Sequence, residues 1–361
     1  MMDKTFVKRI LITGVGGPTP RAFVRAIKYF GGEYKNSFEF IGVDSNPLAY
    51  GLYDKDLFCK AFVVPRADDK CYWDAVNVII ENNAIDAAII LPEAEVLEWS
   101  KNHSRLRKEI KLHLPDYRLA SELVNKYKLH DLLNGTGYIP DYLKLNPTHF
   151  AFDNLTRKLG QSFWVRGTEG SSGLGSLKIN NQEILAQWIT LNPNVSEFIA
   201  TEYLPGRNMA CKLLYFNNEL LATASAERVK YIMSKIAPSG ITGNTSFGRL
   251  LNEPGLVDIS INALNIISQK IGTSLNGIFT IDFKEDINGK PKITEVNIRH
   301  VAFTSSMAAG GANLPLQTLL RLFDEGSNSS ETIHYSFNED YIFLRDVDGY
   351  PIVLKESDLL K

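Results

Sequence analysis

The chain has 361 residues and a formal net charge of −2, long enough for two or three domains with cores of their own. It has no basic block that a nucleic-acid surface would need. No apolar run approaches membrane-spanning length, and the N-terminus runs straight into a strand pattern, so no signal peptide is expected. The three cysteines, Cys59, Cys71 and Cys211, are widely separated with no CxxC pair. That fits a reducing, cytoplasmic setting and argues against a disulfide framework or a thiolate zinc site.

From residue 1 to about 115, strand and helix patterns alternate. Val7 to Thr13 is a short apolar run followed by Gly14-Val15-Gly16-Gly17-Pro18. Thr19 is then expected as an N-cap with Pro20 at the first helical position, because Phe23, Val24, Ile27 and Phe30 recur at helical spacing. Phe38 to Val43 reads as a second strand ending in Asp44, and Phe62 to Val64 as a third. Trp73, Val76, Ile79 and Ile80 mark a helix, and Ala87 to Leu91 another buried strand. Such alternation predicts a mostly parallel, doubly wound sheet.

The pattern changes after Pro115. Asp116 and Asn125 are expected to cap two short helices, with Gly135 and Gly137 ending the second. From Phe163 on, strands come in turn-linked pairs: Ser162 to Arg166 with Ser176 to Ile179, then Cys211 to Phe216 with Glu219 to Ala224 around Asn217-Asn218. A long helix with Val257, Ile261, Leu264 and Ile271 on one face completes an α+β pattern with antiparallel sheets. The tail from about Ser330 carries one or two strands and reads as a small appendage.

The richest segment is Gly277 to Arg299. Asn288-Gly289 is a strong hairpin-turn signal, because both positions tolerate φ > 0. A two-residue turn there sets Asp282 directly opposite Glu295. Alternation then puts Asn297 and Arg299 on the face of Glu295, while Phe279, Ile281 and Phe283 point into a core. Facing carboxylates repel, and a hard, oxygen-ligated cation carrying phosphate would relieve them. Removing one carboxylate is therefore expected to ease the metal-free hairpin. A shift at Pro291 would break the pairing, and an ordinary solvated hairpin face explains the same residues.

Two glycine-rich turns need their own reading. Gly14 to Gly17, with Asp44 ending the next strand, is what a dinucleotide site uses, but Thr19 stands where its third glycine belongs. A tight strand-to-helix turn accounts for the glycines. Arg166-Gly167-Thr168-Glu169-Gly170-Ser171-Ser172-Gly173-Leu174-Gly175 joins two strands. Its backbone N–H groups can cradle phosphate, with Arg166 adding charge at the base; a flexible connection is the alternative. Glu202-Tyr203-Leu204-Pro205-Gly206 reads by itself only as a turn. The six histidines show no metal-ligand spacing.

In this order the pieces resemble the ATP-grasp superfamily over roughly residues 5 to 320, especially the carbamoyl-phosphate-synthase large-chain and carboxylate–amine ligase branch. The resemblance implies an α/β, Rossmann-like pre-ATP-grasp domain (1–115), a two-lobed α+β ATP-grasp domain (116–329) with its hinge near 202–206, and the appendage 330–361. It implies that Lys126 and Arg166 bind phosphate of ATP, that Gly170, Ser171, Ser172 and Gly173 form the covering loop, and that Glu202, Tyr203 and Leu204 meet adenine. Asp282, Glu295 and Asn297 match the metal ligands. Arg299 matches the arginine that stabilises transferred phosphate or substrate, and Arg228 would anchor the acceptor carboxylate. The chain departs from the family at Asn125, Asn208, Ile298 and His300 to Phe303.

The activity implied is an ADP-forming ligase that joins a small-molecule carboxylate to an amine through an acyl phosphate, with two Mg²⁺ ions or Mn²⁺ as substitute. Such proteins are commonly homodimers. The other readings are a carbamoyl-phosphate-synthase-like enzyme acting on bicarbonate and carbamate, a non-catalytic ATP-binding protein, and an NAD oxidoreductase, for which no hydride site is visible.

Overall fold

The computed structural model describes residues 7–170, 175–324, 331–346 and 352–358. Its first part is β1 (Lys8–Thr13), α1 (Pro18–Phe30), β2 (Phe38–Asp44), β3 (Lys60–Val63), α2 (Tyr72–Asn82), β4 (Ala87–Ile89), α3 (Glu93–Asn102) and β5 (Lys111–Leu112). The strands form one parallel sheet in the order β3-β2-β1-β4-β5. The period-2 pattern divides it: Ile10, Ile12 and Phe40 pack against Phe23, Val24 and Ile27 of α1. Leu11, Ile41 and Val43 pack with Tyr72, Trp73, Val76 and Trp99 of α2 and α3.

Helix α1 starts earlier than its sequence signals imply. Gly17 is the N-cap and Pro18 the first helical residue, so Thr19 lies inside the first turn and does not cap it. Proline at this first position costs nothing, because its missing N–H would be unpaired there anyway. The glycine turn itself is packed tight. Gly14 takes φ +66°, and a Cβ there would lie 2.2 Å from Pro92 Cγ.

Next come α4 (Tyr117–Leu123), α5 (Lys126–Leu132), β6 (Tyr142–Leu145), α6 (Phe152–Leu159), β7 (Phe163–Gly167), β8 (Leu177–Ile179), α7 (Gln182–Leu191) and β9 (Phe198–Glu202). Asp116 and Asn125 cap α4 and α5, their side chains accepting from the Arg118 and Lys128 N–H groups. The strands make a small sheet, β6-β9-β7-β8. The third part comprises β10 (Asn208–Phe216), β11 (Glu219–Tyr231), β12 (Thr245–Leu251), α8 (Pro254–Ile271), β13 (Gly277–Glu285), β14 (Pro291–Asn297), α9 (Thr304–Ala309), α10 (Leu314–Leu322), β15 (Ile333–His334), β16 (Tyr341–Leu344) and β17 (Ile352–Lys355). The face of α8 that is fully buried is Leu256, Ser260, Ala263, Leu264 and Ile267. Of the four expected residues only Leu264 lies on it; Val257, Ile261 and Ile271 pack half-buried at its margin.

The large sheet runs β14-β13-β10-β11-β12-β16-β17, with β15 parallel to β11. Residues of the tail thus continue this sheet. Gly248 makes the junction, since a Cβ there would lie 2.3 Å from the Phe343 ring.

The hairpin β13–β14 reaches its expected pairing by an unexpected route. Only Gly289 of the turn pair takes positive φ, 75°. Asp286 closes a longer turn, its Oδ1 accepting from Asn288 N (2.8 Å) and Lys290 N (2.9 Å). Near the turn Glu285 faces Pro291 and Phe283 faces Ile293, one residue away from the two-residue-turn register. A β-bulge at Thr294 takes up the difference, and Asp282 faces Glu295. Bulges re-aim side chains in this way beside functional sites.

Candidate active site

The acids stand on the floor of a cleft of about 790 Å³ lined by residues of the parallel sheet's turns, the small antiparallel sheet and the large sheet. Ala226, Ala210, Asp282 and Glu295 form one cross-strand row on β11, β10, β13 and β14. Arg228, one alternation further along β11, extends over the two alanines. Its Nη1 lies 3.2 Å from Asp282 Oδ2, Nε donates to Thr245 Oγ1 (3.0 Å) and Nη2 to the Gly243 carbonyl (2.8 Å). The guanidinium lies on the rings of Tyr231 and Phe303, at 5.0 and 5.6 Å. Asn297 Nδ2 also donates to Asp282 Oδ2, at 3.3 Å.

Burial pushes the Asp282 carboxyl up and Glu295 adds to this, while Arg228 and Asn297 pull it back. Asp282 Oδ1 is buried with no protein donor. An acceptor of this kind, beside a second carboxylate and an amide oxygen, fits a hard cation; among the described residues no group of three His, Cys, Asp or Glu surrounds it.

Arg166 is the last but one residue of β7. It bonds the carbonyl of Thr294, the bulge residue, and its Nη1 is 3.9 Å from Glu295 Oε2. The extra residue in β14 thus provides the carbonyl that fixes Arg166. Lys126, the first residue of α5, is buried; its N–H bonds Thr168 O at 2.8 Å and its Nζ donates to Gly170 O at 2.7 Å. Burial holds this ammonium below the usual lysine range. Asn125 Nδ2 donates to Glu169 Oε1 (3.3 Å), so the cap that starts α5 also ties down the start of the glycine loop. His130 Nδ1, taken as the protonated nitrogen, donates to the Lys126 carbonyl at 2.6 Å. Arg299 lines the cleft; its Nη1 donates to His300 O at 3.1 Å, and its Nε is buried without a partner.

Of the other expected residues, Gly170 and Asp44 line the cleft and the three of the hinge do not. Glu202, Tyr203 and Leu204 are not among the residues that line this cleft. Glu202 pairs with Asp141 through both backbone and carboxylate, Leu204 is buried, and Lys178 Nζ sits 3.8 Å over the Tyr203 ring. Gly170 lines the cleft, whereas Ser171, Ser172 and Gly173 fall outside the described residues. Asp44, the acid of the dinucleotide reading, accepts from Gly16 N (2.7 Å) and Asn46 N (2.9 Å). Its oxygens serve the glycine turn.

Three residues were not singled out in the sequence. Glu93, first in α3, is half-buried; burial pushes its carboxyl up, and Arg299, Glu295 and Lys126 lie within its field. Glu95 also lines the cleft. Their helix has Pro92 as N-cap with no side-chain cap, so the usual Ser/Thr/Asp start signal is missing. Lys212 is fully buried on β10, one alternation from Ala210, with its Nζ unpartnered and 4.6 Å over the Phe303 ring. Its only sequence signal is a charge inside an apolar run.

No protein-family model and no curated protein sequence matches the chain. Solved structures do match. N5-carboxyaminoimidazole synthetase from Staphylococcus aureus, complexed with ADP, is similar over 94% of this chain and 82% of its own, with TM-score 0.69 and 15% identity. An L-amino acid ligase from Bacillus licheniformis is similar over 93% and 78%, at TM-score 0.63 and 14% identity. Biotin carboxylase from Campylobacter jejuni is similar over 94% and 76%, at TM-score 0.65 and 16% identity. The fold these chains share with this protein is the ATP-grasp fold.

Proposed function

We propose that this protein is an ATP- and magnesium-dependent ligase that joins a small carboxylic acid to an amine, forming ADP and phosphate. The observation that carries the reading is the half-buried, facing Asp282–Glu295 pair in one cleft with Lys126, Arg166, Arg228 and Arg299. The similar folds belong to a synthetase, a ligase and a carboxylase, two of them in complexes with ADP and with beta-gamma-ATP, which favours the same class here.

Mg²⁺, held by Asp282 Oδ1, Glu295 and Asn297, would neutralise charge on the phosphates. Lys126 and Arg166 bind phosphate oxygens: Lys126 exchanges the Gly170 carbonyl for phosphate, and Arg166 is fixed for the task by Thr294. Arg299 steadies the acceptor carboxylate as its oxygen attacks the γ-phosphorus. Preorganised cations of this kind stabilise spreading phosphoryl charge without reorganising. Arg228 is committed to Asp282, so its part is to set the position and charge of that carboxylate, and the expected role of acceptor anchor passes to Arg299. The loop from Gly170 covers the phosphates and excludes water, which protects the acyl phosphate. The glycine turn of the first domain packs on Pro92 through Gly14 and forms part of the wall of the same cleft.

The test is a screen of carboxylic acids with ATP, Mg²⁺ and hydroxylamine, which intercepts acyl phosphates as hydroxamates. Hydroxamate with stoichiometric ADP and phosphate is expected. AMP and pyrophosphate would mean adenylation, and NAD binding without ATP binding would overturn the reading altogether.

A further inference from the structure

Three buried polar atoms in and beside the acidic row have no hydrogen-bond partner: Lys212 Nζ, Thr280 Oγ1 and Asp282 Oδ1. Their residues are neighbours on one face of the large sheet. Lys212 lies directly across the ladder from Thr280, and Ala210, one alternation away on β10, lies across from Asp282. Lys212 and Asp282 are therefore diagonal neighbours, about 7–8 Å apart at most between Cβ atoms. The flexible four-carbon stem of a lysine covers such a span.

The pair is nevertheless not made in this conformation. Lys212 Nζ rests 4.6 Å over the Phe303 ring. Asp282 gives its Oδ2 to Arg228 and Asn297, and Oδ1 stays open. One ring face does not satisfy the several N–H donors of a lysine, and Lys212 at 0% exposure is shut off from bulk water. Burial lowers its ammonium well below the usual lysine range; Asp282 pulls it back and Arg228 adds to the fall. The two groups thus already feel each other across the gap. A swing of Lys212 off Phe303 satisfies all three atoms at once, because Nζ then donates to Asp282 Oδ1 and to Thr280 Oγ1. The swing also fills the oxygen that a cation would use.

We propose that Lys212 is an internal competitor for the metal: it bonds Asp282 Oδ1 until a divalent cation takes that oxygen, and then withdraws onto Phe303. The inference rests on the metal assignment of the ligase reading above. Amine and ammonium both donate, so the competition does not depend on the proton count of Lys212. A cation alone must break this bond to enter, and the phosphates of a nucleotide, by adding ligands, tip the balance toward the metal. Phe303 is the seat for the withdrawn side chain. It forms part of the cleft wall and is backed by the Phe343 ring, stacked on it at 6.3 Å and 6°.

The experiment titrates Mn²⁺ into the full chain, with and without ADP, and reads bound metal by electron paramagnetic resonance, so no turnover is involved. Lys212→Met is close in length and has no donor; it should fold, because an apolar group replaces a buried, unpartnered amine. It should bind Mn²⁺ at least roughly tenfold more tightly than wild type, the worth of one hydrogen bond to a charged group. Phe303→Leu removes the seat and should act the other way, weakening Mn²⁺ binding, because Lys212 then stays on Asp282. In the double variant this weakening should disappear and the affinity should match that of Lys212→Met. A merely structural role would weaken binding in every variant. Equal or weaker Mn²⁺ affinity in Lys212→Met overturns the proposal, as does unchanged or tighter binding in Phe303→Leu, or a Phe303→Leu loss that persists in the double variant. Wild type that binds Mn²⁺ neither alone nor with ADP overturns the metal assignment of the ligase reading, and this proposal with it.

Discussion

Replacing Asp282 by Asn tests what holds the acidic row together. Two Coulombic terms oppose each other. Arg228 lies 3.2 Å from Asp282, which at an effective dielectric constant of roughly 20 is an attraction of about 5 kcal/mol. The Glu295 carboxylate lies directly across the ladder; at the ~5–6 Å typical of facing pairs its repulsion is about 3 kcal/mol on the same scale. Attraction wins, because each acid has its own guanidinium, Arg228 for Asp282 and Arg166 for Glu295. Burial of the carboxylate itself offsets this attraction, but Asp282→Asn leaves the Arg228 guanidinium buried without a counter-charge, which should destabilise the metal-free protein by roughly 3–5 kcal/mol and lower turnover at least ~100-fold. This reverses the sign expected from the facing carboxylates alone. Urea unfolding in EDTA measures it. Adding Arg228→Met to Asp282→Asn should recover part of the loss, because the buried cation left without its partner is then gone. A metal-free Asp282→Asn protein as stable as wild type, or more so, would refute the argument.

Gly14→Ala should cost about 2–4 kcal/mol in urea unfolding, from the left-handed backbone and the overlap with Pro92, yet leave MgATP affinity unchanged in calorimetry; a selective loss of nucleotide binding would return the glycine turn to a binding role. Stability should also fall on acidification through His130. Burial first, then Arg166 and Lys126, lower this imidazole to about 3, below its unfolded value, so the unfolded chain binds the proton preferentially. The stabilisation is complete above about pH 6.5 and is lost as pH falls toward 3, on the order of 5 kcal/mol in all. His130→Gln should flatten the stability profile between pH 7 and 4.5.

The sequence made some features legible and hid others for physical reasons. Local periodicity fixes which residues share a face, so the core-facing Phe279, Ile281 and Phe283 and the polar face of Asp282 and Glu295 could be read directly. The facing pair survived because a longer turn and a one-residue bulge at Thr294 cancel, and alternation sees neither. The caps Asp116 and Asn125 were readable because their side chains do the capping. Helix α1 was displaced in the reading because Gly17 caps it with backbone alone, and α3 was missed behind Pro92. Contacts such as Arg228 to Asp282, 54 residues apart, depend on strand order, which no local pattern encodes. The same holds for the tail strands joining β12.

That last junction has a consequence for how the chain is made. Strand β12 gains its outer neighbour from β16, about a hundred residues later, and Gly248 keeps open the space that the Phe343 ring fills. During synthesis the sheet with the acidic row is formed while β12 still presents an unpaired edge. An edge of that kind invites pairing with another chain. A released chain ending at residue 330 would keep every residue of the acidic row and leave β12 with one unpaired border, so the last strands cover an edge open to aggregation as well as extending the fold.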